Sequence, residues 1–457
     1  SERPVNLQDV PGVFNPDNDG IDFYEALESM LVTIEDPVAV SATNQYGELW
    51  VLANNGANIA PTDARTARGG INLQPDPDND GDQNPERVQI QFGSLYPGST
   101  PAVTVSDRLG DVTGVMGYSF GNFEVNATAE VSVTSGGLEQ ETTGLRSTKN
   151  KVTLASYNVL NLSPDASDDN QRATLASQIV NNLGSPDVIA LQEIQDNSGE
   201  TDDGTVDADQ TLQALVDAIA AAGGPTYEFF DVAPADGSSG GVPGGNIRNA
   251  YLYNADRVKL VDYESLTPDV LTAYGVSNPN AFDGTRDPLL ATFKFRGKEF
   301  TVINNHLTSR FGSTPIFGGP QPFVQAGEAE REAQTGALNE VVDVLLDEGK
   351  GNSSHASKEG RVVVLGDLNT MEFTNDITEI LPGTGDDRVL TNLIDSLKDD
   401  NVYSYIFDGN SQVLDHLLVT DNLLTGAKFD IVHVNVDFPR MDDSYGSDHE
   451  PLVVRMK

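Results

Sequence analysis

The chain has 457 residues, enough for two or three domains, and it contains no cysteine, which excludes disulfide bonds, thiolate catalysis and zinc–thiolate sites. Its 70 acidic and 27 basic residues give a net charge of −43. No apolar run approaches the length of a transmembrane helix, roughly 18 residues, so no membrane association is expected.

The acidic residues are spread over the whole chain. Residues 1–150 contain 22 acidic and 7 basic side chains, and the remainder contains 48 and 20. Such a surface favours solubility in concentrated salt, where the Debye length falls to ~3 Å. We therefore expect adaptation to high salt, the alternative being an ordinary acidic secreted protein. The chain begins with serine and has no basic-then-apolar leader, so we expect any targeting peptide to have been removed.

The first predicted elements are β-strands. They lie at residues 31–40, 48–53, 87–92, 111–118 and 123–133. The segment 87–92 alternates polar and apolar residues, as a half-buried strand does. About five strands over roughly a hundred residues favour a small all-β barrel, and the oligonucleotide-binding (OB) barrel is the natural candidate. We therefore predict an OB-like domain at residues 1–135.

Two Asp-rich loops lie in this first domain. Asp76, Asp78 and Asp80 occupy positions 1, 3 and 5 of a calcium-binding loop. Position 12 should be an acid, but Arg87 stands there. Residues 15–20 repeat the pattern, again without an acid at the twelfth position. Calcium binding and plain solvated loops both remain open for these segments.

A polar segment at residues 136–150 is predicted to link the barrel to a second domain at residues 151–457. Apolar strands alternate there with helical patterns, which indicates an α/β domain of about 300 residues. The strands are predicted at 152–157, 188–191, 250–253, 301–304, 361–365, 414–419 and 451–454, and helices at 171–183, 211–222 and 329–347.

Several strands of the second domain end in polar residues suited to catalysis or metal binding. The first strand ends at Asn158, the second runs into Glu193, and another leads to His306. A later strand leads to Asp367 and Asn369, which would point the same way in an extended chain. Because the ends of neighbouring strands converge at one rim of a sheet, these residues are expected to share a cleft.

Six motifs then occur in the order found in the endonuclease/exonuclease/phosphatase family, which includes deoxyribonuclease I-like enzymes and abasic-site endonucleases. They are Asn158, Leu191-Gln192-Glu193, Asn305-His306-Leu307, Gly366-Asp367-Leu368-Asn369, Leu414-Asp415-His416 and Ser447-Asp448-His449-Glu450-Pro451. Each motif alone is weak, but together they cover residues 150–457 in order. The chain resembles this family, which implies an α+β protein with a four-layered α/β sandwich as its catalytic domain.

The resemblance also implies which residues bind metal and phosphate. Asn158, Glu193 and Asp448 offer hard oxygen ligands suited to Mg²⁺ or Mn²⁺, which would polarise a phosphoryl oxygen. Arg286 resembles the phosphate-binding arginine of the family, and Asn369 is a second phosphate contact. Together these residues suit hydrolysis of a phosphodiester, whose transition state carries negative charge.

The catalytic roles follow from the same resemblance. His449 is implied as the general base and Asp415 as the carboxylate that holds its tautomer. His306 is implied as a general acid or phosphate contact. Asp367 and Asn369 would position the attacking water and the phosphate, with a second metal ion as a further role.

One departure from the family pattern concerns His306. The family places a carboxylate near the strand at 250–253 to orient this histidine, but no acid lies there. Two alternatives stay open: Asn246 substitutes for it, or the partner comes from elsewhere in the chain. The remaining histidines, His355, His416 and His433, are expected to be structural.

The leading hypothesis for function is a secreted, salt-tolerant metal-dependent nuclease that cuts DNA, with RNA as a further substrate. A β barrel before such a catalytic domain resembles bacterial extracellular nucleases. The alternatives are a phosphatase or phospholipase C-type enzyme acting on inositol phosphates or sphingomyelin, and a non-enzymatic calcium-dependent surface protein. No feature indicates a protein partner, so a monomer is expected.

The barrel has two possible roles, in nucleic-acid binding or in stability. Its basic side chains are few, and three aromatic residues are either base-stacking or core positions. These residues are Arg65, Arg68, Arg87, Arg108, Tyr46, Trp50 and Phe92.

Overall fold

A computed structural model describes residues 7, 12–57, 59, 64–75, 83–347, 360–397, 401–441 and 445–457. The N-terminal part is an all-β domain, and the larger C-terminal part is an α/β domain with two stacked sheets. Within the described residues, no helix combines the length and the apolar character needed to cross a lipid bilayer.

In the part that the structure describes, the N-terminal domain has one short helix, α1 (Gly20–Glu25), and eight strands. The strands are β1 (Leu31–Ile34), β2 (Val38–Ala39), β3 (Glu48–Leu52), β4 (Val88–Gln91), β5 (Arg108–Leu109), β6 (Val112–Ser119), β7 (Asn122–Ala127) and β8 (Val133–Thr134). They form one sheet in the order β1-β6-β7-β4-β3-β2-β5-β8. β1 and β2 lie far apart in this order although they are close in the chain, so the sheet curls back on itself.

Alternation of buried and exposed residues along β6 and β7 produces the core of this domain. Val112, Met116, Phe123 and Val125 point inward, while their neighbours are partly exposed. The predicted strands are confirmed with changed bounds: β3, β4 and β7 are shorter than expected, and β6 is shifted by one residue. The strand expected at residues 31–40 is divided into β1 and β2.

The C-terminal domain contains fourteen described strands and five α-helices. The strands are β9 (Val152–Leu162), β10 (Val188–Ile194), β11 (Glu228–Asp231), β12 (Arg248–Tyr253), β13 (Lys259–Ser265), β14 (Leu289–Phe295), β15 (Lys298–His306), β16 (Val362–Asp367), β17 (Thr391–Asn392), β18 (Tyr405–Phe407), β19 (Asn410–Gln412), β20 (Asp415–Val419), β21 (Lys428–Ile431) and β22 (Leu452–Met456). The helices are α2 (Asp169–Ser177), α3 (Asp209–Ala221), α4 (Pro268–Tyr274), α5 (Glu328–Leu346) and α6 (Asp421–Leu424).

Twelve of these strands form two six-stranded sheets, in the orders β11-β12-β10-β9-β22-β21 and β13-β14-β15-β16-β20-β17. Successive residues of a strand point to opposite faces. In β16, Val363 and Leu365 enter the core between the sheets, whereas Val362 and Val364 pack under α5. Helices α2 and α3 cover the outer face of the other sheet. The order helix, sheet, sheet, helix confirms the four-layered sandwich.

The two domains are joined by a buried ion pair. Arg68 of the barrel donates from Nε to Asp437 Oδ2 of the catalytic domain at 2.6 Å, and the carboxylate is fully buried. The segment predicted as a linker also packs on the catalytic domain: the backbone N–H groups of Glu141 and Thr143 donate to the carbonyls of His433 and Asn182. The barrel and the segment that follows it therefore both contact the catalytic domain.

A loop of the catalytic domain contributes to the barrel core in return. Between β15 and α5, Ile316 and Phe317 leave the sandwich and are buried with the barrel residues. The Phe317 ring lies 6.1 Å from the Phe123 ring. The guanidinium of the fully buried Arg87 lies 5.8 Å from the Phe317 ring. The barrel thus fixes the position of this loop.

Candidate active site

Strand register brings three of the predicted catalytic residues side by side. His306 at the end of β15 lies opposite Asp367 in the parallel pair β15–β16. Asp367 in turn lies opposite Asp415 in the antiparallel pair β16–β20. The three side chains therefore occupy adjacent positions at one rim of the sheet.

The other sheet supplies Asn158 and Glu193. In the parallel pair of β9 and β10, Asn158 lies opposite Gln192. The register of β10 is interrupted between Leu191 and Ile194, and Glu193 has a left-handed φ of 62°. A β-bulge re-aims the side chain at the bulged position, and here it presents Glu193 to the space between the two sheets.

Asn158 connects the two sheets through its amide group. Its Nδ2 donates to Glu193 Oε1 at 3.0 Å and to Asp367 Oδ2 at 3.1 Å. Its Oδ1 accepts from the backbone N–H of Leu160 at 3.0 Å. This orientation is assigned from the hydrogen bonds, and it makes Asn158 a donor to two carboxylates. A role as a metal ligand stays a prediction for this residue.

The segment after β16 differs from the extended chain that was expected. Gly366 has φ 131°, and a Cβ there would lie 2.0 Å from the carbonyl oxygen of Asn305, so only glycine fits. Asn369 is left-handed, with φ 53°, and its N–H donates to Asp367 Oδ1 at 3.0 Å. Asp367 and Asn369 share the cleft because of this turn, and the geometric reason predicted from the sequence was wrong.

His449 is held by Asp415 as the resemblance implied. Nδ1 of His449 lies 2.7 Å from Asp415 Oδ2, while Nε2 lies 3.7 Å from Asp367 Oδ2. The ring of Tyr405 packs against the imidazole at a centroid distance of 4.8 Å. Burial lowers the pKa of His449, but Asp415 and Asp367 outweigh it, so the pKa is raised well above its ordinary value.

His306 is placed differently. Its Nε2 lies 3.7 Å from Glu193 Oε1 and 3.6 Å from Asp367 Oδ2, and its Nδ1 has no hydrogen-bond partner among the described residues. Burial, with the positive charges of Arg286 and His449, lowers the pKa of His306 well below its ordinary value. The neutral imidazole is therefore favoured in this environment.

Asn246 does not orient His306, which corrects the substitute suggested from the sequence. Its Nδ2 instead donates to Asp196 Oδ2 at 3.0 Å and to the carbonyl of Thr205 at 2.9 Å. Asn246 thus stabilises the loops before β12 and, among the described residues, makes no hydrogen bond to His306 Nδ1.

The donor set at this edge of the sheet fits a divalent cation. One carboxylate oxygen each of Glu193 and Asp367 and one ring nitrogen of His306 lie within 4.8 Å of one another, close enough to bind a single metal ion. Burial raises the pKa of Glu193, and the Asp448 carboxylate raises it further. Hard oxygen donors whose mutual repulsion a 2+ ion would relieve are the ligands that Mg²⁺ and Mn²⁺ prefer.

These residues line one open cleft of about 530 Å³. We call its catalytic side the floor, and it consists of Glu193, His306, Asp367, Asn369, Asp448 and His449. The opposite side, which we call the rim, includes Phe120 and Asn122 of the barrel, Arg310 and Phe311 of the loop after β15, and Phe407 and Gln412 of the β18–β19 hairpin. The cleft therefore lies between the two domains.

Arg286, predicted as a phosphate contact, lies behind the floor. Its Nη2 donates to the carbonyl of Leu307 at 2.5 Å, and it lines a neighbouring cavity of about 310 Å³. Burial lowers the pKa of Arg286, and the nearby carboxylates of Glu193 and Asp367 offset this lowering only in part. Direct contact with a substrate phosphate stays a prediction.

Two residues of the site were not singled out from the sequence. Ser447 Oγ donates to the carbonyl of Asn158 at 2.7 Å and accepts from the N–H of His449, so it fixes the loop that carries His449. Tyr405 supports the ring of His449. A serine two residues before a catalytic histidine was a usable signal, whereas Tyr405 gave none.

The remaining predicted residues lie elsewhere. His416 is buried between Asn392 and the carbonyl of Thr370, and His433 is buried against Tyr403. In the barrel, Trp50, Phe92, Arg68 and Arg87 are buried, which leaves Tyr46 as the exposed aromatic candidate. Asp76, Asp78, Asp80 and His355 lie outside the described residues.

Comparison with known sequences agrees with this geometry. The sequence model of the Endonuclease/Exonuclease/phosphatase family matches residues 155–449, which is more than half of the chain and includes the whole floor. The chain belongs to this family. Its members include nucleases, phosphodiesterases and phosphatases. In this endonuclease/exonuclease/phosphatase protein, residues 2–136 match a separate domain of unknown function, DUF8508. No curated protein matches the chain.

Solved structures similar to this family member cover about two thirds of it. Humanized D. rerio TDP2 with 14 mutations is 17% identical, with a TM-score of 0.43 over 67% of this chain and 99% of that one. The human Nocturnin catalytic domain with bound sulfate is 18% identical, with 0.41 over 67% and 94%. An endonuclease/exonuclease/phosphatase from Bacteroides vulgatus is 15% identical, with 0.42 over 67% and 99%.

Proposed function

We propose that this protein is a secreted, salt-tolerant, metal-dependent nuclease that hydrolyses the phosphodiester bonds of DNA and also accepts RNA. The observation that carries the proposal is the floor of the cleft, where a base held by a carboxylate faces a cluster of hard oxygen donors. His449 and Asp415 form the first part, and Glu193 with Asp367 the second. The cleft is open and is lined by residues of both the barrel and the catalytic domain.

The residues of the floor divide the work of hydrolysis. Because Nδ1 of His449 is engaged by Asp415, Nε2 is left to take a proton from the attacking water, and the carboxylate stabilises the imidazolium that forms. Asp367 lies between His306 and His449, where it orients water. A bound Mg²⁺ or Mn²⁺ at Glu193 would polarise the phosphoryl oxygen and shield the charge of the transition state.

The strand order supports an OB-like assignment for the barrel. If β1 and β2 are the two halves of one bent strand, five strands close in the order β1/β2-β3-β4-β7-β6 and back to β1. All pairs in this circuit are antiparallel except β4 with β7. This is the pattern of the five-stranded Greek-key barrel that binds oligonucleotides. Calcium at the Asp-rich loops of this domain stays part of the proposal.

Nucleic acid suits the cleft better than the alternative substrates. A phosphatase or phospholipase acting on inositol phosphates would need several cations around the substrate, but the acidic floor is flanked by aromatic and amide side chains, with Arg310 and Arg440 nearby. Sphingomyelin would require an apolar surface that protrudes toward a membrane, whereas the aromatic side chains here line a concave cleft.

The substrate class is tested with the full chain and three substrates. Supercoiled plasmid DNA, sphingomyelin vesicles and inositol hexakisphosphate are incubated with Mg²⁺ and with EDTA, and nicking, phosphocholine release and phosphate release are measured. We expect nicking that depends on Mg²⁺ and a loss of about 10²–10⁴-fold in the His449→Ala variant. Faster hydrolysis of either of the other two substrates, or full activity of His449→Ala, would refute the proposal.

Salt tolerance is tested with the same plasmid assay. At molar salt the Debye length is about 3 Å, so the long-range repulsion between an acidic protein and DNA is screened. We therefore expect nicking that persists or peaks near about 1 M NaCl. A steady loss of activity from low salt upward would contradict adaptation to high salt. Recovery of the protein from the medium of the cells that produce it tests secretion.

A further inference from the structure

Two phenylalanines stand almost fully in solvent at the rim of the cleft. Phe120 is 96% exposed and Phe311 is 94% exposed, well above the other large apolar side chains among the described residues. Burying a phenylalanine contributes about 1.5–3 kcal/mol, so folding alone does not account for these two. They come from different domains, yet both line the cleft that contains Glu193 and His306.

Phe120 is held in a conformation that a bulky residue rarely adopts. It occupies the two-residue turn between β6 and β7 with φ 47°, and Gly121 follows with φ 87°. Such turns favour asparagine and glycine, because a large side chain is strained at positive φ. A Cβ on Gly121 would lie 2.4 Å from the Pro315 side chain, so the turn is pressed against the loop that carries Phe311.

The loop that carries Phe311 is fixed at both ends of its turn. Ser313 donates from its N–H and Oγ to the carbonyl of Arg310 at 3.2 and 2.7 Å, and its Oγ accepts from the N–H of Ala326. Arg310 reaches the carbonyl of Asn369 at 3.4 Å, which connects the loop to the floor. The exposed ring is therefore presented by an ordered segment.

The rim continues toward the catalytic base through two more aromatic residues. Tyr405 and Phe407 are alternate residues of β18, so they share a face of the hairpin. Tyr405 packs on His449, and Phe407 is 47% exposed in the cleft. A flat apolar group attached to a phosphate at the floor would meet this surface, and the amides of Asn122 and Gln412 line the cleft beside it.

We propose that Phe120 and Phe311 hold an unstacked nucleobase next to the reacting phosphate, so that the enzyme prefers single-stranded nucleic acid to intact duplex. This inference rests on the proposed nuclease function. Bases offer a flat π face to aromatic rings and polar edges to amides, whereas in a duplex the faces are covered by neighbouring bases. Stacking is independent of sequence and of salt screening, which suits an acidic protein with few cations in its cleft.

The inference is tested by steady-state kinetics of the full chain with Mg²⁺. The substrates are a single-stranded 20-nucleotide DNA, its duplex, and the same strand with abasic residues around one phosphodiester. We expect Phe120→Ala and Phe311→Ala each to raise KM for the normal single strand by about 5- to 150-fold, the effect of one stacked base. The abasic strand should lose this dependence, and kcat should change little.

Matched variants separate stacking from damage to the fold. Phe120→Tyr and Phe311→Tyr keep a flat ring and should retain the KM of the original protein. Leu95→Ala removes a side chain that is 54% exposed outside the cleft and should change neither constant. A shift in the melting temperature of the Phe→Ala variants would be visible by circular dichroism and is not expected for exposed side chains.

The outcomes are distinguishable. If the original protein cleaves DNA but the Phe→Ala variants keep its KM for the single strand, or lose duplex and single strand equally, the stacking inference is wrong and the nuclease proposal stands. If the original protein cleaves no nucleic acid, the proposed function itself fails. Hydrolysis of sphingomyelin vesicles that depends on Phe120 and Phe311 would assign the rim to lipid and overturn the inference.

Discussion

The floor and the rim of the cleft are built in opposite ways. The floor consists of side chains at or next to the ends of paired strands. Asp367 and His449 are buried there, and Asp367 Oδ2 lies 3.7 Å from His449 Nε2. The rim consists of turns from both domains, and its phenylalanines contact solvent. The floor belongs to the sandwich alone, whereas the barrel contributes Phe120 and Asn122 to the rim and buries Phe317 of the loop that carries Phe311.

This difference separates the chemistry of the protein from its choice of substrate. A change in the floor should alter kcat, because those groups act on the reacting atoms. A change in the barrel, or in the contacts that hold it, should alter stability and KM. Variants that move the wrong constant would break the comparison.

The largest effect is expected from Asp415→Asn, at the carboxylate that holds His449 of the floor. This substitution keeps the shape of the side chain but removes the charge that fixes the tautomer of His449 and stabilises its protonated form. We expect kcat for plasmid nicking to fall by about 10²–10³-fold with KM nearly unchanged. Normal activity of this variant would show that the dyad is not used.

The next effect concerns the contact between the regions, in Arg68→Met. The guanidinium is buried against Asp437, whose Oδ1 also accepts from Tyr403 at 2.9 Å. Removing one partner of a buried pair leaves an uncompensated charge and costs about 3–5 kcal/mol. Urea unfolding should report this loss. The control Lys294→Met breaks a more exposed pair with Glu299, where less than about 1 kcal/mol is expected.

The sequence predicted the floor well because its signals are local. Continuous apolar runs mark the buried part of each strand, and a polar residue follows directly, as at Asn158, Glu193 and His306. β9 nevertheless continues past Asn158 to Leu162, so the strand end predicted there was wrong. The family resemblance then assigned Asp415 to His449, and the structure brings that pair to 2.7 Å. The donor role of Asn158 could not be predicted in this way, because it depends on which way its amide faces.

The rim could not be predicted for a physical reason. Phe120 lies in a turn and Phe311 in an irregular loop, and neither segment has a periodic pattern that reveals its surroundings. Their shared cleft depends on contacts between residues that are far apart in sequence, such as Phe317 with Phe123. Of the barrel arginines for which nucleic-acid binding and stability were both left open, Arg68 and Arg87 are buried in docking and packing contacts, whereas Arg108 is exposed.

A smaller effect that sharpens the comparison is expected from Phe317→Leu. The Phe317 ring anchors the loop of Phe311 in the barrel core and is 3% exposed. Its loss should cost about 1–2 kcal/mol of stability and raise KM for single-stranded DNA by up to about tenfold, because the loop loses its position. Phe293→Leu, in the core between the sheets, should lower stability without changing KM. Equal KM values for both variants would show that the barrel does not position the rim.

The smallest effect lies behind the floor, at Asp287. Burial, with the nearby Asp283, raises the pKa of Asp287 to about 6, while a hydrogen bond from Ser265 opposes this shift. The folded protein therefore binds this proton more tightly than the unfolded chain, and folding stability is lost as the pH rises from about 4 to 6.

Asp287→Asn keeps a hydrogen-bond acceptor and removes the charge. Relative to the original protein, it should gain about 1–2 kcal/mol above about pH 6, the pKa of the folded protein, and nothing below about pH 4, roughly the unfolded pKa. Urea unfolding at fixed ionic strength measures the gain, with the exposed Asp256→Asn as the control for the loss of one negative charge. An equal gain in both variants would assign it to the net charge of the protein, and kcat should not change in either, because neither residue belongs to the floor.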